Sequence, residues 1–507
     1  MSRSIREDYL IDSPLLRPFY RVSPHHYDVK SLVNERVKIQ TPRTVLAEVL
    51  EKQYEHLPPK PTVNENIALL RQENTFTITT GQQPVLFGGP MYVLYKAITA
   101  ITLAQEFKSL MPEANFVPVF WMASEDHDWQ EVNHTWVGFK DKKIYDAKCY
   151  GAVGRHIITE RIQDLLPDDA VIQSYWKSGT TWAEAFQATL HHWLGDQGLV
   201  VLNPDVPALK NAFLTIAQQE FYDRPSERLV LETTRKLAEA SYPIQLTPRP
   251  INLFYLTDHH RGRMTPGDNG NILVDKTDLI FSRKLMIEHI CDQPETVSPN
   301  AVLRPIYQET ILPNLVYVGG WGEIAYWMEL GSLFEHYNLP MPMVMPRASA
   351  LLWTQQQWDE WKSYGLTPQD LNLTDDHFKK QALAKLWHDD PFLEHWNEEL
   401  AGLFDRLHDY VGTLTPQQQR NVRGQLAKNV RFSESLRKKM AKMILRQHPL
   451  TYQPILRVKS QVQPDGSVQE RCLNPASFPD FTTEQIVAFL LEHLDSFDAD
   501  VQQLIVR

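Results

Sequence analysis

Residues 124–134 read SEDHDWQEVNH, and six of these eleven side chains titrate: Glu125, Asp126, His127, Asp128, Glu131 and His134. They follow an unbroken apolar run, VPVFWMAS over residues 117–124, of the kind found in a strand buried on both faces. In open α/β sheets, ligands bind outside the carboxyl ends of the strands. Carboxylates gathered there raise one another's pKa, and a histidine among them exchanges protons near neutral pH. Two chemistries stand open beside the plain alternative of a solvated loop. If the segment is helical, His127, Glu131 and His134 share one face at i, i+4 and i+7 and could ligate a metal, as in a metal-dependent hydrolase or nucleotidyltransferase. Otherwise the cluster recognises a cationic amine and supplies the base that must deprotonate it before it attacks.

A second constellation is VYVGGWGEIAYW, residues 316–327, where an apolar strand runs into Gly319, Gly320 and Gly322 before a helix opened by Glu323. Such glycines let a backbone approach a ligand closely, or serve a cramped turn. A similar junction lies in TITTGQQPVLFGGPMYVLYK, residues 77–96: a β-rich run breaks at Gly81-Gln82-Gln83 and enters a helix through Gly88-Gly89-Pro90. Backbone N–H groups in such a loop and helix start can face an anion; steric need for glycine is the competing reading. Arg304 and Arg347 flank the second constellation, and either can clamp a carboxylate or phosphate bidentately. Neither a Walker A loop nor GxGxxG occurs, so neither a P-loop fold nor a nicotinamide enzyme is indicated. His191-His192 and His259-His260 read as packing or surface residues, because neighbours in sequence do not share a helix face.

The elements that must position these residues alternate strand and helix. A strand at 75–80, a helix from Pro90 to about residue 108 and a strand at 117–124 form one right-handed βαβ unit. Between 145 and 300 the rhythm changes: helices at 182–193, 207–221 and 226–240 mix with short strands at 199–202 and 251–256, with a hairpin turn at Asn269-Gly270. The core pattern returns with strands at 315–318 and 343–345 around a helix at 323–336. From 356 to 448 the chain is helical. Trp396, Leu400, Leu403, Leu407 and Val411 form one stripe, and Val422, Leu426, Val430, Leu436, Met440 and Met443 another, behind a capping box at Thr415 and Gln418. An extended arm used for dimerisation is the preferred reading. The tail carries a predicted hairpin at Asp465-Gly466 and a capped helix from Thr482.

With 507 residues, the chain exceeds one ordinary core. Its 43% hydrophobic and 22% charged residues describe a globular protein, and a net charge of −11 argues against general nucleic-acid or anionic-membrane binding. No long apolar run or leader-like segment is present, so a cytoplasmic protein is expected. Cys149, Cys291 and Cys472 lack the spacing of a disulfide framework or thiolate zinc site.

Four stretches together carry a resemblance: TGQQPVLFGGPMYVLYK (80–96), VPVFWMASEDHDWQEVNH (117–134), LRPIYQETILPNLVYVGGWGEIAYW (303–327) and QPDGSVQER (463–471). In order and over most of the chain, they are similar to the bacillithiol biosynthesis cysteine-adding enzymes, the cysteine ligases of that pathway. Two positions depart from the family pattern: Trp321 stands where a proline is usual, and Ser124 where glycine is frequent.

The resemblance implies an α/β fold: a nucleotidyltransferase-type Rossmann-like core with connecting-peptide insertions plus an α-helical coiled-coil domain. The expected division is residues 1–145 and 301–355 for the two halves of the core, 146–300 for the insertion, 356–448 for the coiled-coil arm and 449–507 for a segment returning to the core. It implies a homodimer through the coiled coil and a reaction joining L-cysteine to the amino group of glucosaminyl malate. ATP or ADP is the expected nucleotide and no metal is expected. Glu125, Asp126, His127 and Asp128 are the expected catalytic group, with His127 or Asp128 as the base. Thr80, Gly81, Gln82, Gln83, Arg304, Gly319, Gly320, Gly322, Glu323, Tyr326 and Arg347 are expected to bind substrate, and Gly88 and Gly89 the nucleotide.

Overall fold

The computed structural model describes residues 3–388 and 391–507. The chain forms two compact units, Met1–Leu351 with Gln469–Leu504, and Leu352–Val468 with Ile505–Arg507. The first unit contains twelve strands used below: β1 (Thr75–Gln82), β2 (Asn115–Met122), β3 (His134–Val137), β4 (Asp141–Ile144), β5 (Val200–Leu202), β6 (Leu253–Thr257), β7 (His260–Pro266), β8 (Ile272–Val274), β9 (Ile280–Phe281), β10 (Val297–Pro299), β11 (Asn314–Gly319) and β12 (Met343–Pro346).

The main sheet has the order β12-β11-β1-β2-β5, and every pairing in it is parallel. Its strands are almost wholly buried, which is why 117–122 reads as continuous apolar sequence and not as an alternation. The helix Met91–Leu110 returns the chain from β1 to β2 and buries Val93, Leu94, Ala97 and Ile98. Chain order runs outward from β1 in both directions, so the order reverses between β1 and β11. A crevice opens at such a reversal, at the strands' carboxyl ends.

The segment expected as an insertion is only partly separate. β5 lies at the edge of the main sheet, paired with β2. The antiparallel sheet β10-β6-β7-β8-β9 is the distinct part, and the turn at Asp268–Gly270 joins β7 to β8 as the Asn-Gly signal suggested. The helix expected over 323–336 is two helices, Trp321–Trp327 and Gly331–His336. Between them Glu329 turns inward and accepts the backbone N–H groups of Gln245 and Leu246 at 2.7 and 3.1 Å. At Asp465-Gly466 there is no hairpin; a 3-10 turn, Pro464–Gly466, ends the helix Gln453–Val462.

Within the second unit, the helices Pro391–Gly412 and Pro416–Gln447 pack together, the longer one about 48 Å in length at 1.5 Å per residue. Thr415 and Gln418 form the expected capping box. Val411 is buried, whereas Leu403, Leu436 and Met443 are exposed. The side chains of Trp396, Leu400, Val422, Leu426 and Val430 lie outside the described residues.

Candidate functional site

A cavity of about 770 Å³ opens over the carboxyl ends of β1, β2, β11 and β12, wholly within the first unit. Gln82, Asp126 and Gly320, far apart in sequence, all line it. Gly81 is required where β1 meets β2, because a Cβ there would come within 2.9 Å of the Trp121 carbonyl oxygen. The Gly81 carbonyl instead accepts from Lys96 Nζ at 2.8 Å.

Lys96 begins a polar chain across the cavity wall. Its ammonium pairs with Glu323 at 2.5 Å and donates to Gln82 Oε1 at 3.0 Å. Gln82 donates to Gln83 Oε1 at 2.8 Å, and the Gln83 amide donates to both Asp126 (2.9 Å) and Glu131 (2.6 Å). Glu323 also accepts from the Tyr317 hydroxyl and from the Gly320 N–H, which closes the start of its helix. Burial alone would push the Glu323 carboxyl up, but Lys96 holds it below the ordinary carboxylate value.

The strand-end carboxylates are neutralised from the insertion side. Glu125 lies 2.7 Å from Lys210 Nζ, which also holds Asp205 at 2.8 Å, and Arg155 clamps Asp205 from the other side. Burial raises Glu125 despite Lys210. Asp126 is half-buried, and hydrogen bonds from the His127 backbone N–H and from Gln83, with the Arg261 guanidinium 3.7 Å away, hold its carboxyl well below the usual range. Arg261 arrives on β7 and stacks on Phe254 at 4.0 Å.

His127 and Asp128 are not among the residues lining the cavity. Arg261 Nη1 lies 2.9 Å from His127 Nδ1. A guanidinium can only donate, so that nitrogen is an acceptor and its lone pair is occupied. Asp128 precedes the short helix Trp129–Val132, and its backbone N–H donates to Asp126 at 3.3 Å. That helix stops before His134, which opens β3. The i, i+4, i+7 face needed for a metal therefore does not form, and among the described residues no group of three or more His, Cys, Asp or Glu side chains could hold one.

Thr80 and Gly319 also lie off the cavity. The Thr80 hydroxyl ties β1 to β11 by donating to Val318 O at 2.8 Å. A Cβ on Gly319 would meet Glu323 and Tyr317. Gly88 and Gly89, expected to bind the nucleotide, are not among the residues lining this cavity. Both have positive φ, and a Cβ at Gly88 would sit 2.4 Å from the Trp193 ring, one at Gly89 3.0 Å from Val85 and Val93. The following helix start is closed as well, since the Met91 N–H donates to Leu473 O at 2.7 Å. These glycines serve packing.

Gly320, Gly322, Glu323, Tyr326, Arg304 and Arg347 do line the cavity. Arg347 is committed to Glu470 through a bidentate pair at 2.5 and 2.9 Å. Among the described residues Arg304 donates to neutral groups, Gln308 at 3.0 Å and the Tyr326 hydroxyl at 3.3 Å. Trp321, the departure from the family pattern, lies against Tyr9 and under Arg6. Ser124 donates to Asn203 at 2.6 Å and fits because Gly154, facing it, has no Cβ.

Sequence reasoning missed Tyr92, Lys96, Arg261 and Arg471 as cavity residues. Lys96 left a signal, a lone charge among apolar positions of one helix. Arg261 left none, since its place depends on β7 reaching the cavity. His191 and His260 bond to the carbonyls of Pro58 and Asp275, as structural histidines do.

The sequence agrees with this architecture when set against known proteins. Residues 1–348 match the family model "Bacillithiol biosynthesis BshC, N-terminal Rossmann-like domain", and residues 350–506 match "Bacillithiol biosynthesis BshC, C-terminal coiled-coil domain". A protein of Cytophaga hutchinsonii named "Putative cysteine ligase BshC" is 33% identical over 498 residues, covering 98% of this chain and 95% of its own. One of Flavobacterium johnsoniae with the same name is 34% identical, covering 96% of this chain and 94% of its own. With a Rossmann-like unit carrying the cavity and a helical unit carrying the long helix pair, the chain belongs to the BshC family of bacillithiol biosynthesis.

Proposed function

We propose that this protein is an amide-forming ligase that joins the carboxyl group of L-cysteine to the amino group of glucosaminyl malate, with the carboxylate activated by ATP. The observation that carries the reading is the charge pattern of one cavity. Glu131, tied by Gln83 to the Arg261-paired Asp126, offers its carboxylate to an ammonium. Arg304 and Arg471 line the same cavity without a carboxylate partner among the described residues. An acceptor carrying one amine and a dicarboxylate suits both features. Gln82 and Gln83 lie where sugar hydroxyls could exchange hydrogen bonds with them.

A free carboxylate is a poor acyl donor, and ATP would supply the leaving group. With Gly88 and Gly89 packed away, anionic oxygens fall to the guanidinium groups of Arg304 and Arg471. The cavity's own residues bind the two substrates side by side, which removes much of the entropic barrier to their joining. Purified protein incubated with L-cysteine, glucosaminyl malate and ATP is expected to give the amide and one ADP or AMP per turnover. Absence of product overturns the reading; product without nucleotide cleavage removes the activation step alone.

The proposed partner is a second copy of the chain, docked through the long helices, where Leu403, Phe432 and Met443 expose apolar surface. A sedimentation mass of one chain, 58.8 kDa, would refute that assignment. No helix among the described residues is long and apolar enough to cross a membrane.

A further inference from the structure

The geometry points to His134 as the general base that deprotonates the attacking amine, an inference that rests on the ligase reading. The ring lines the cavity with Glu131, whose carboxylate would hold the acceptor ammonium. Nδ1 lies 3.0 Å from the Gln130 carbonyl oxygen. A carbonyl only accepts, so Nδ1 carries the proton, and the lone pair of the neutral ring is on Nε2. Among the described residues Nε2 has no hydrogen-bond partner, and it is not a buried orphan, so it is open to a ligand. The backbone fixes the ring's origin, because His134 pairs with Ile144 at the start of β3.

The neighbouring groups that could take the proton are committed elsewhere, Glu131 excepted, which would hold the ammonium itself. Glu125 faces Lys210, Asp126 is held ionised and is too weak a base, Lys96 pairs with Glu323, and the Nδ1 of His127 is committed to Arg261. Burial lowers the His134 pKa below its ordinary value, and Lys142 on the paired strand β4 lowers it further, against the Gln130 hydrogen bond. Glu131 lies on the preceding helix. The turns packed on β3, Leu86–Gly88 and Pro475–Ser477, bring no titratable side chain. The ring is thus neutral at pH 7 and able to accept a proton.

In the proposed step the acceptor ammonium gives one proton to Nε2 of His134. The freed nitrogen lone pair forms the C–N bond at the cysteine carbonyl carbon, activated by a nucleoside triphosphate. The C–O bond to the phosphate or nucleotide leaving group breaks, and its electron pair remains on that oxygen. The second proton leaves the new amide nitrogen to water.

The test compares wild type with His134→Ala and His134→Gln under the assay above. A fall in kcat of about 100- to 10,000-fold is expected, with acceptor KM changed little. The acidic limb of the kcat–pH profile, where activity rises as the ring loses its proton, should vanish in both variants, and added imidazole should restore part of the His134→Ala turnover. Both variants should melt at the wild-type temperature. Variant turnover within about threefold of an active wild type overturns the inference and leaves the ligase reading intact. A wild type that makes no product overturns the ligase reading instead. Independently of activity, nitrogen NMR of 15N-histidine protein, with His134→Gln for assignment, should show the Nδ1–H tautomer at pH 7; an Nε2–H tautomer or a doubly protonated ring also overturns the inference.

Discussion

Glu309 lies in the helix Arg304–Ile311 and is fully buried. Its Oε1 accepts from Gln308 Nε2 at 2.9 Å and Asn314 Nδ2 at 2.8 Å, while Oε2 is buried without a partner among the described residues. Arg36, the cation that pulls most on this carboxyl, spends Nη2 on the carbonyls of Glu309 and Leu312 at 2.7 and 2.5 Å. Burial therefore pushes the Glu309 carboxyl up to about 7, against the opposing pull of Arg36, Gln308 and Asn314. The sign follows from linkage. A carboxyl whose folded pKa lies above its ordinary 4.5 binds its proton more tightly in the folded state, so it stabilises the fold below pH 4.5. That contribution is lost as pH rises through about 7. Moving from 4.5 to about 7 corresponds to roughly 3 kcal/mol, at about 1.4 kcal/mol per tenfold change in proton affinity. Glu309→Gln keeps the acceptor for Gln308 and Asn314 and cannot ionise. Urea unfolding of both proteins from pH 4.5 to 8 should show their stability difference moving toward the variant by about 3 kcal/mol. Glu329, also raised to about 7 by burial, is present in both proteins and cancels. Parallel stability–pH curves for the two proteins would refute the argument that Glu309 is held neutral by its surroundings.

Gly88→Ala should lower stability by about 2–5 kcal/mol, from the positive-φ cost and the clash with Trp193. The folded fraction should keep its turnover; a loss of turnover without a fall in melting temperature would return this loop to ligand binding. Lys210→Met leaves Glu125 and Asp205 without their shared cation and should cost about 3–5 kcal/mol. Adding Glu125→Gln should recover part of that in thermal melts, and no recovery would mean that Lys210 acts through packing alone.

The parts of the fold legible in sequence were those governed by local pattern. Residues 117–122 read as a buried parallel strand because both faces are apolar, and the strand-to-glycine junctions at 81 and 320 marked carboxyl ends of strands, where a topological rule places the crevice. Long-range sterics were not legible. Gly88 looks the same in sequence whether a phosphate or Trp193 excludes its Cβ, and Trp193 lies over 100 positions away. Three residues at β5 give no periodicity from which to place them in the main sheet. The break at Glu329 depends on the N–H groups of Gln245 and Leu246, which a helical pattern cannot reveal. At the site, the acidic cluster was visible, but its division into cavity-lining Asp126 and outlying Asp128 depended on where the short helix begins and ends.

The cations reverse the meaning of that cluster. In sequence, residues 125–131 form an anionic patch suited to a cationic ligand. In the folded chain Glu125 is met by Lys210, Asp126 by Arg261, Glu323 by Lys96, and Arg347 by Glu470. What remains without an opposite charge among the described residues is Glu131, bonded only to the Gln83 amide, together with Arg304 and Arg471. The unspent charge is thus net positive, although the whole chain carries −11. A purely cationic ligand would gain little from carboxylates already paired, and would face two guanidinium groups that have no carboxylate partner among the described residues. A ligand with one amine and two anionic groups matches the remainder charge for charge. The proposed acceptor, an amine carrying two carboxylates, therefore fits this remainder better than a simple amine would, and the fit is set by residues, Lys96, Lys210 and Arg261, that lie outside the acidic motif itself.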